Sequence, residues 1–500
     1  MSRRKALKHL AAAAALTTAP AGLTTSVTIS RKEAPRPNIL LIMTDQQRFD
    51  QLGLTSGGHF ETPNLDKLAR GGIMFENAYT HSPICIPARG SLMTGLAPRR
   101  YPTQGMYGQA LKEGYWTAVH AMRQAGYQTM IAGKMHFVPI RSRHGFEKMR
   151  MAEHLGIVYG PEELDDYTNW LVSKGKGGWQ ATHIFGPEEK EQKAEFLRNQ
   201  QAMPFHYPKE YHPTSWVTRE AIEMLEKRDK QRPYFLAVSY PHPHSPFDPP
   251  APYDTMYNPA DAIVPKDGQE VNERLAPSAR ALMLNEKAFG CLLTSRIGEL
   301  LQRRIATYIR ALIRQIDDAA GELTTHIDLK DTVVFFTSDH GDYYGHRGRM
   351  LKTPGIPFDD VARVPLFCAG AGIPRARREK RLVQSSDFAL TCLDLAGIDS
   401  PDRQLFDARS LMPFFSNENA GDDRVVFCDS NYKWPMARRG NFKYFRNTEN
   451  GEEMLFDLDK DPGETKNLAP DPAYGKERDD LRRQMETILA RGIPGLPRYA

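Results

Sequence analysis

Five polar residues of this chain stand at the ends of apolar runs. They are Asp45, Lys134, His242, His244 and Asp339. Carboxylate, amine and imidazole groups bind ions and transfer protons, so side chains of these types can form a reactive site when a fold gathers them. Whether these five side chains lie close together in the fold depends on the secondary-structure elements that precede them.

The apolar runs are short and continuous, as expected for strands that are buried on both faces of a parallel sheet. They cover Pro37–Asp45, Tyr127–Ala132, Tyr234–Tyr240, Thr332–Ser338 and Val364–Ala369, and helical patterns lie between them at Thr62–Gly71, Arg303–Leu323 and Asp387–Ala396. Strands that alternate with helices predict an α/β fold in which helices sandwich a large, mostly parallel sheet. Ligands of such sheets bind at the carboxyl ends of the strands, where the five polar residues are expected.

Length and composition narrow the class of protein. A chain of 500 residues can form one large α/β domain and a smaller second unit. The formal charge is +5, but Arg3, Arg4, Lys5 and Lys8 supply most of it, so a nucleic-acid partner is not expected. The five cysteines contain no Cys-x-x-Cys pair, which argues against a disulfide framework and a zinc ribbon.

The N-terminus predicts export from the cytoplasm. Basic residues precede the apolar stretch Leu10–Leu16, and Ala19-Pro20-Ala21 has the pattern of a signal cleavage site. The first residues also resemble the twin-arginine export motif, with an ordinary signal peptide as the alternative. We expect residues 1–30 to be a signal peptide and leader, and the mature protein to be periplasmic or secreted. No other apolar run approaches the roughly 20 residues that span a bilayer, so no membrane span is expected.

The most specific pattern is Cys85-Ile86-Pro87-Ala88-Arg89. A lone cysteine is usually a small buried apolar residue, but this one begins a Cys-x-Pro-x-Arg sequence. The sequence resembles the maturation motif of the type I, formylglycine-dependent sulfatases of the alkaline phosphatase superfamily. In that family the cysteine is oxidised to formylglycine.

Other landmarks of the family follow in the expected order along the chain. The matching segments are Asn38–Arg48, Gly133–Phe137, Pro241–Phe247, Thr337–Asp342 and Leu455–Ala469. The first contains Asp45-Gln46 where many members have two aspartates. The third permits two alignments, and we assign the family's histidine to His244 rather than His242. A segment ending in Arg347-Gly348 departs from the family's usual Gly-Asp-His-Gly.

The resemblance implies a metal site. Its ligands would be Asp45, Gln46, Asp339, His340 and the modified Cys85. This oxygen-rich set favours one Ca²⁺ ion, and the histidine makes Mn²⁺ the second candidate. The amide in place of a second aspartate removes one negative charge from the site.

The resemblance also implies how a sulfate monoester would be attacked. The hydrated formylglycine from Cys85 would attack sulfur, and the metal would polarise the nucleophile and the sulfuryl oxygens. Lys134 would hold the sulfate, and Arg89 would stabilise the nucleophile. The helix expected to begin near Cys85 would add partial positive charge.

Three further residues receive proton-transfer roles from the same resemblance. His244 and Lys352 would protonate or stabilise the departing alcohol. His136 would take the proton of the second hydroxyl of the hydrated aldehyde, which releases sulfate and restores the aldehyde.

Changes of sequence texture predict the domain organisation. We expect a catalytic domain at 36–420, with a polar insertion near 151–230 that shapes the substrate pocket. From about residue 421 to 500, short strand-like pieces and a final helix predict a small antiparallel α+β subdomain.

The expected function is hydrolysis of sulfate esters of small molecules or carbohydrates, after a formylglycine-generating maturation enzyme has modified Cys85. The segments Gly133–Phe137 and His144–Glu147 resemble choline sulfatase and related bacterial sulfatases. Two alternatives stay open: a phosphonate monoester or phosphodiester hydrolase of the same superfamily, and a non-catalytic protein that binds sulfated glycans.

Overall fold

The computed structural model describes residues 36–104, 110–153, 165–176, 190–265, 267–285, 292–398, 402–416, 423–430 and 433–499. The strands are β1 (Asn38–Asp45), β2 (Gly72–Tyr79), β3 (Thr103–Gln104), β4 (Ala110–Leu111), β5 (Gln128–Gly133), β6 (Lys148–Met151), β7 (Tyr234–Pro243), β8 (Leu292–Leu293), β9 (Thr332–Ser338), β10 (Arg349–Met350), β11 (Leu366–Gly370), β12 (Arg377–Gln384), β13 (Val426–Cys428), β14 (Met436–Arg439), β15 (Phe442–Arg446) and β16 (Glu453–Asp457).

Eight of these strands form one large sheet in the order β12-β2-β11-β9-β1-β7-β5-β6. Strand β11 is antiparallel to both of its neighbours, and all other neighbouring pairs are parallel. The prediction of a large, mostly parallel sheet is therefore confirmed.

Helices cover both faces of this sheet. The α-helices are α1 (Pro63–Arg70), α2 (Cys85–Thr94), α3 (Ala118–Gln124), α4 (Asp166–Ser173), α5 (Lys190–Arg198), α6 (Pro213–Glu226), α7 (Pro277–Leu284), α8 (Thr294–Thr324), α9 (Asp359–Ala362), α10 (Asp387–Leu395), α11 (Met412–Phe415) and α12 (Gly475–Leu489). Helices α2, α3 and α10 pack on one face. Helices α1, α6 and α8 pack on the other.

Strand β1 shows why the central runs are apolar throughout. Ile39, Leu41 and Met43 point into the core beneath the first helical layer, whereas Leu40 and Ile42 point into the second. Side chains alternate along a strand, so a strand between two layers needs apolar residues at every position.

Three strands of the sheet were not predicted: β2, β6 and β12. Strand β12 begins with five charged residues, from Arg377 to Arg381, which are tolerated because the strand lies at the edge of the sheet and is partly exposed. Strand β2 begins at Gly72, directly after α1. A Cβ atom at Gly72 would lie 1.9 Å from the carbonyl oxygen of Cys368, so the approach of β2 to β11 requires glycine.

The described parts of the segment near 151–230 contain the helices α4, α5 and α6, together with turns and loops such as 199–208. Trp216, Val217 and Ala221 of α6 lie in the core beneath the large sheet, so this last part of the segment belongs to the helical layer.

Strands β13 to β16 form a separate antiparallel sheet in chain order. Leu481 and Met485 of α12 pack on one face of it. The other face packs against Phe358 and its neighbours from the loops of the large domain. The expected small antiparallel α+β unit at the C-terminus is therefore present.

Residues 1–35, which contain the predicted signal peptide, lie outside the described residues. Within the described ranges, no helix combines the length and the apolar character that crossing a membrane would require.

Candidate active site

Asp45 and Asp339 lie side by side at the carboxyl edge of the large sheet. Strands β1 and β9 are parallel neighbours, and Thr44 pairs with Ser338 in their register. The two strands thus end at the same level, which brings the residue after each pairing into one place. The backbone N–H of Gln46 donates to Asp339 Oδ1 at 3.0 Å and ties the two strand ends together.

Cys85 reaches the same place from α2, of which it is the first residue. Its Sγ lies 3.0 Å from His340 Nε2 and 3.6 Å from Asp45 Oδ1. The side chain is buried. The partial positive charge of a helix N-terminus favours an anionic group at this position.

The ring of His340 turns an electron pair toward these neighbours. Its Nδ1 lies 2.8 Å from the carbonyl oxygen of Gly341, which can only accept, so Nδ1 carries the proton in the neutral ring. Nε2 then faces Asp339 Oδ1 at 3.7 Å and Asp45 Oδ1 at 3.9 Å. One ligand atom from each of these residues and from Cys85 lies within 4.8 Å of the others. Convergent carboxylate, imidazole and sulfur donors suit a divalent cation.

Arg89 holds the outer oxygens of both carboxylates. It is fully buried, and its Nε donates to Asp339 Oδ2 at 2.9 Å while Nη2 donates to Asp45 Oδ2 at 3.0 Å. Its Nη1 donates to Ser239 Oγ at 2.8 Å and to the carbonyl oxygen of Lys134. The two Oδ1 atoms are thereby left directed at the donors of the candidate cation site.

Lys134 adds a second buried cation. Its Nζ lies 2.8 Å from Asp45 Oδ2. Burial alone would raise the pKa of Asp45, but Lys134, His244 and Arg89 together hold that pKa well below its usual range. The carboxylate therefore stays ionised and able to bind a metal at neutral pH.

Lys352 and His244 form a hydrogen-bonded pair beside Gln46. Lys352 Nζ donates to His244 Nε2 at 2.7 Å and to Gln46 Oε1 at 3.0 Å. His244 Nδ1 donates to the carbonyl oxygen of Ser245, so Nε2 is the acceptor and the mobile proton lies on Lys352. Gln46 Nε2 donates to Asp342 Oδ2 at 2.5 Å, which turns the amide oxygen toward Lys352.

His136 follows β5 by three residues and has a buried ring. Neither ring nitrogen has a hydrogen-bond partner among the residues that the structure describes. Burial, followed by the charges of Lys134 and Arg89, holds the pKa of His136 well below its usual value. The ring is therefore neutral at pH 7 and able to accept a proton.

Comparison with known proteins decides the family. Residues 37–398 match the Sulfatase family, and residues 356–491 match the family described as N-sulphoglucosamine sulphohydrolase, C-terminal. The chain belongs to the sulfatase family.

Individual relatives resemble this sulfatase over most of its length. The arylsulfatase of Clostridium perfringens is 32% identical over 485 residues, which cover 92% of this chain and 95% of the relative. The choline-sulfatase of Rhizobium meliloti is 31% identical over 458 residues, which cover 87% and 83%. The phosphonate monoester hydrolase of Agrobacterium radiobacter superposes with a TM-score of 0.72 and 24% identity, covering 91% and 96%, and shows the same fold. This chain is accordingly an enzyme, a sulfuric ester hydrolase.

Two residues of the sulfatase motifs point away from this site. His242 Nε2 lies 3.0 Å from Asp248 Oδ1, and its ring stacks on His212 in a separate buried cluster. Arg347 is buried, and its Nη2 donates to the carbonyl oxygens of Gly463 and Glu464 in the loop after β16. Arg347 therefore joins this sulfatase's large domain to its C-terminal unit.

Sequence reasoning missed three residues around the site. Asp342 orients Gln46, Ser239 at β7 binds Arg89, and Glu153 binds the turn that carries His136. Asp342 closes a segment that was recognised as a family landmark, so its position carried a signal. Ser239 and Glu153 stand in no pattern that would single them out.

Proposed function

We propose that this sulfatase hydrolyses sulfate monoesters with a formylglycine formed from Cys85 and one divalent cation. The observation that carries the proposal is the position of Cys85 at the N-terminus of α2, where its Sγ lies 3.0 Å from His340 Nε2 and 3.6 Å from Asp45 Oδ1. Before catalysis, a maturation enzyme would replace the thiol by an aldehyde: an oxidant such as molecular oxygen accepts two electrons from the Cβ carbon, an oxygen atom bonds to that carbon, and the sulfur leaves as hydrogen sulfide.

The residues at the sheet edge fit a cation. Asp45, Asp339 and His340 present electron pairs, and residue 85 is the fourth donor. Gln46 Oε1, which Lys352 contacts, is the fifth predicted ligand. Two carboxylates, an amide and a hydrated aldehyde form an oxygen-rich set that favours Ca²⁺, with Mn²⁺ as the second candidate because of the imidazole. When bound, the cation polarises the nucleophile and the sulfuryl oxygens.

Fixed positive charges prepare the site for an anionic ester. Lys134 and Lys352 carry two of them close to residue 85, and Arg89 neutralises the carboxylates behind it. Charges that are already in place stabilise the transferring sulfuryl group without reorganisation during the reaction.

In the first step, one hydroxyl of the hydrated aldehyde loses its proton to solvent and its oxygen bonds to sulfur, while the bond between sulfur and the alcohol oxygen breaks. The alcohol oxygen takes a proton from the pair formed by Lys352 and His244. The short contact between these two residues supports the pair as proton donor, because the proton on Lys352 can pass through His244 Nε2.

In the second step, the other hydroxyl of residue 85 loses its proton to His136. The carbonyl group forms again, and the bond from its carbon to the sulfated oxygen breaks, which releases inorganic sulfate. The ring of His136 supports this role because it is buried and neutral, and both of its nitrogens are without a hydrogen-bond partner among the described residues.

We infer that the substrates are sulfate esters of small molecules or carbohydrates and that the enzyme acts in the periplasm or outside the cell. The arylsulfatase and choline-sulfatase relatives support the first inference, and the N-terminal sequence of the chain supports the second. The insertion near 151–230 would select among substrates.

The proposal is tested on protein expressed with a maturation enzyme. Mass spectrometry of the peptide that contains residue 85 should give the mass of formylglycine, and sulfate release from 4-nitrophenyl sulfate should require a divalent cation. Cys85→Ala should abolish this release. An unmodified thiol in enzyme that is fully active would refute the proposal.

A further inference from the structure

The ring of His136 is oriented without hydrogen bonds of its own. No described residue contacts either ring nitrogen as a hydrogen-bond partner. The backbone of His136 has a φ of 55°, a left-handed value that a non-glycine residue keeps only when its surroundings hold it. The direction of the ring therefore depends on what holds the backbone of this turn.

Glu153 holds it. The carboxylate accepts the N–H of Met135 at 2.9 Å, and it accepts the N–H of His136 at 3.1 and 3.0 Å on its two oxygens. Two successive N–H groups that point to one side form a small anion-binding concavity. The turn that carries His136 is thus closed around one carboxylate from a distant part of the chain.

The burial of Glu153 indicates that its hydrogen bonds to the turn at Met135 and His136 do more than fill space in the core. The side chain is 1% exposed, and within the described ranges no lysine or arginine lies within ion-pair distance of it. Burial raises the pKa of Glu153 to about 7, despite the N–H of Met135 and the charge of Lys134. An apolar side chain would fill the same space without the free-energy cost of burying a carboxyl group. The two N–H groups that Glu153 binds therefore explain why a carboxyl group stands at this position.

The same residue connects the turn to the helix that follows. The backbone N–H of Glu153 donates to Asp165 Oδ2 at 2.5 Å. Asp165 in turn caps α4, because its Oδ1 accepts the N–H of Thr168 at 2.7 Å. Residues 133–136, Glu153 and the start of α4 therefore form one hydrogen-bonded unit.

We propose that Glu153 is a positioning residue that directs the ring of His136 at residue 85 for the release of sulfate. This inference rests on the proposed function, in which His136 acts only in the second step. A change at Glu153 should therefore slow the second step and leave substrate binding and the first step unchanged.

The kinetic test compares Glu153→Gln with Glu147→Gln. The first variant keeps the shape of the side chain but turns an amide NH₂ toward two N–H donors. Glu147 is a matched control, since it stands just before β6 and binds Arg232 at a partly exposed site. With 4-nitrophenyl sulfate, Glu153→Gln should lower kcat and KM together by about 10²-fold, with kcat/KM unchanged. Rapid mixing should show a burst of one nitrophenol per enzyme, and Glu147→Gln should behave as the wild type.

A second measurement does not depend on turnover. In the Cys85→Ser background, hydrogen exchange of the amides of Met135 and His136 should accelerate in Glu153→Gln and not in Glu147→Gln. If Glu153→Gln does not fold, Glu153→Asp keeps both acceptor oxygens and should show the same burst with a smaller loss of kcat.

Three outcomes would overturn the inference: a wild-type kcat in Glu153→Gln, a fall of kcat/KM equal to that of kcat, or unchanged exchange at the two amides. A double variant with His136→Ala supports it when the second substitution adds no further loss. Wild-type enzyme with formylglycine that releases no sulfate would instead refute the proposed function, while the exchange experiment would still report on Glu153.

Discussion

Replacing Arg89 by methionine should expose how the carboxylates of the site are held together. The substitution keeps most of the side-chain volume and removes the guanidinium that binds Asp45 Oδ2 and Asp339 Oδ2. Asp45 keeps Lys134 at 2.8 Å. Asp339 Oδ2 has no other hydrogen-bond partner among the described residues, so its charge becomes the less compensated of the two.

The size of the effect follows from the geometry. At an effective dielectric constant of about 20, unit charges about 4 Å apart attract by about 4 kcal/mol. Removing one partner of a buried ion pair typically costs about 3–5 kcal/mol because the other charge stays buried. We expect Arg89→Met to lower the free energy of unfolding by about 3–5 kcal/mol in EDTA. The loss should be smaller with saturating divalent cation, since the cation neutralises the same carboxylates.

Urea unfolding followed by circular dichroism, in EDTA and in Ca²⁺, measures both values. Arg99→Met is the control, because the side chain of Arg99 in its ion pair with Asp429 is 34% exposed and the pair should contribute less than the fully buried pairs of Arg89. A loss in Arg89→Met that is no larger than in the control, or that is the same with and without cation, would refute the reasoning.

Three further predictions follow from other contacts. Lys352→Ala should lower kcat by about 10²–10⁴-fold for alkyl sulfates and by less for 4-nitrophenyl sulfate, because nitrophenolate leaves without a proton. The measurement is kcat over a series of sulfate esters whose leaving groups differ in pKa. Equal losses of kcat across the series would contradict the prediction. The pKa of Glu153 is raised from 4.5 to about 7 in the folded enzyme. Between these two pH values the unfolded chain binds fewer protons than the folded one, so the free energy of unfolding should fall as the pH rises from 4.5 through 7, by about 3 kcal/mol at most. The difference in unfolding free energy between the wild type and Glu153→Gln should show this dependence on pH. A difference that does not change with pH would contradict the prediction. Arg347→Ala should lower the free energy of unfolding by about 2–4 kcal/mol and leave kcat near that of the wild type, because the guanidinium of Arg347 donates charged hydrogen bonds that connect the large domain to the loop after β16. A large loss of kcat at unchanged stability would indicate instead that Arg347 contacts the substrate.

The central strands and the polar residues at their carboxyl ends could be predicted from the sequence for the same physical reason. A strand buried on both faces must be apolar at every position, so runs such as Ile39–Met43 are visible, and the polar residue at each end stands out. The edge strand β12 could not be found this way, because partial exposure removes the need for apolar residues. Its charged sequence is typical of edge strands.

Residues whose side chains bind backbone groups could not be predicted from the sequence. Glu153 binds two N–H groups that are 17 and 18 residues away, and no side-chain pattern records such a contact. Arg347 was recognised as a departure from the family sequence, but its direction became evident only from the fold. The assignment of the family's histidine to His244 rather than His242 was made from the sequence, and the structure adds their partners, Lys352 for His244 and Asp248 for His242.

The central claim is that sulfate monoesters are the substrates of a formylglycine formed from Cys85. The most direct test is the ratio of kcat/KM for 4-nitrophenyl sulfate to that for 4-nitrophenyl phenylphosphonate, measured on enzyme in which residue 85 is fully formylglycine by mass. We predict a ratio well above one, and we predict that both activities are lost in Cys85→Ala. A ratio below one would identify a phosphonate monoester hydrolase on the sulfatase fold and would contradict the proposal.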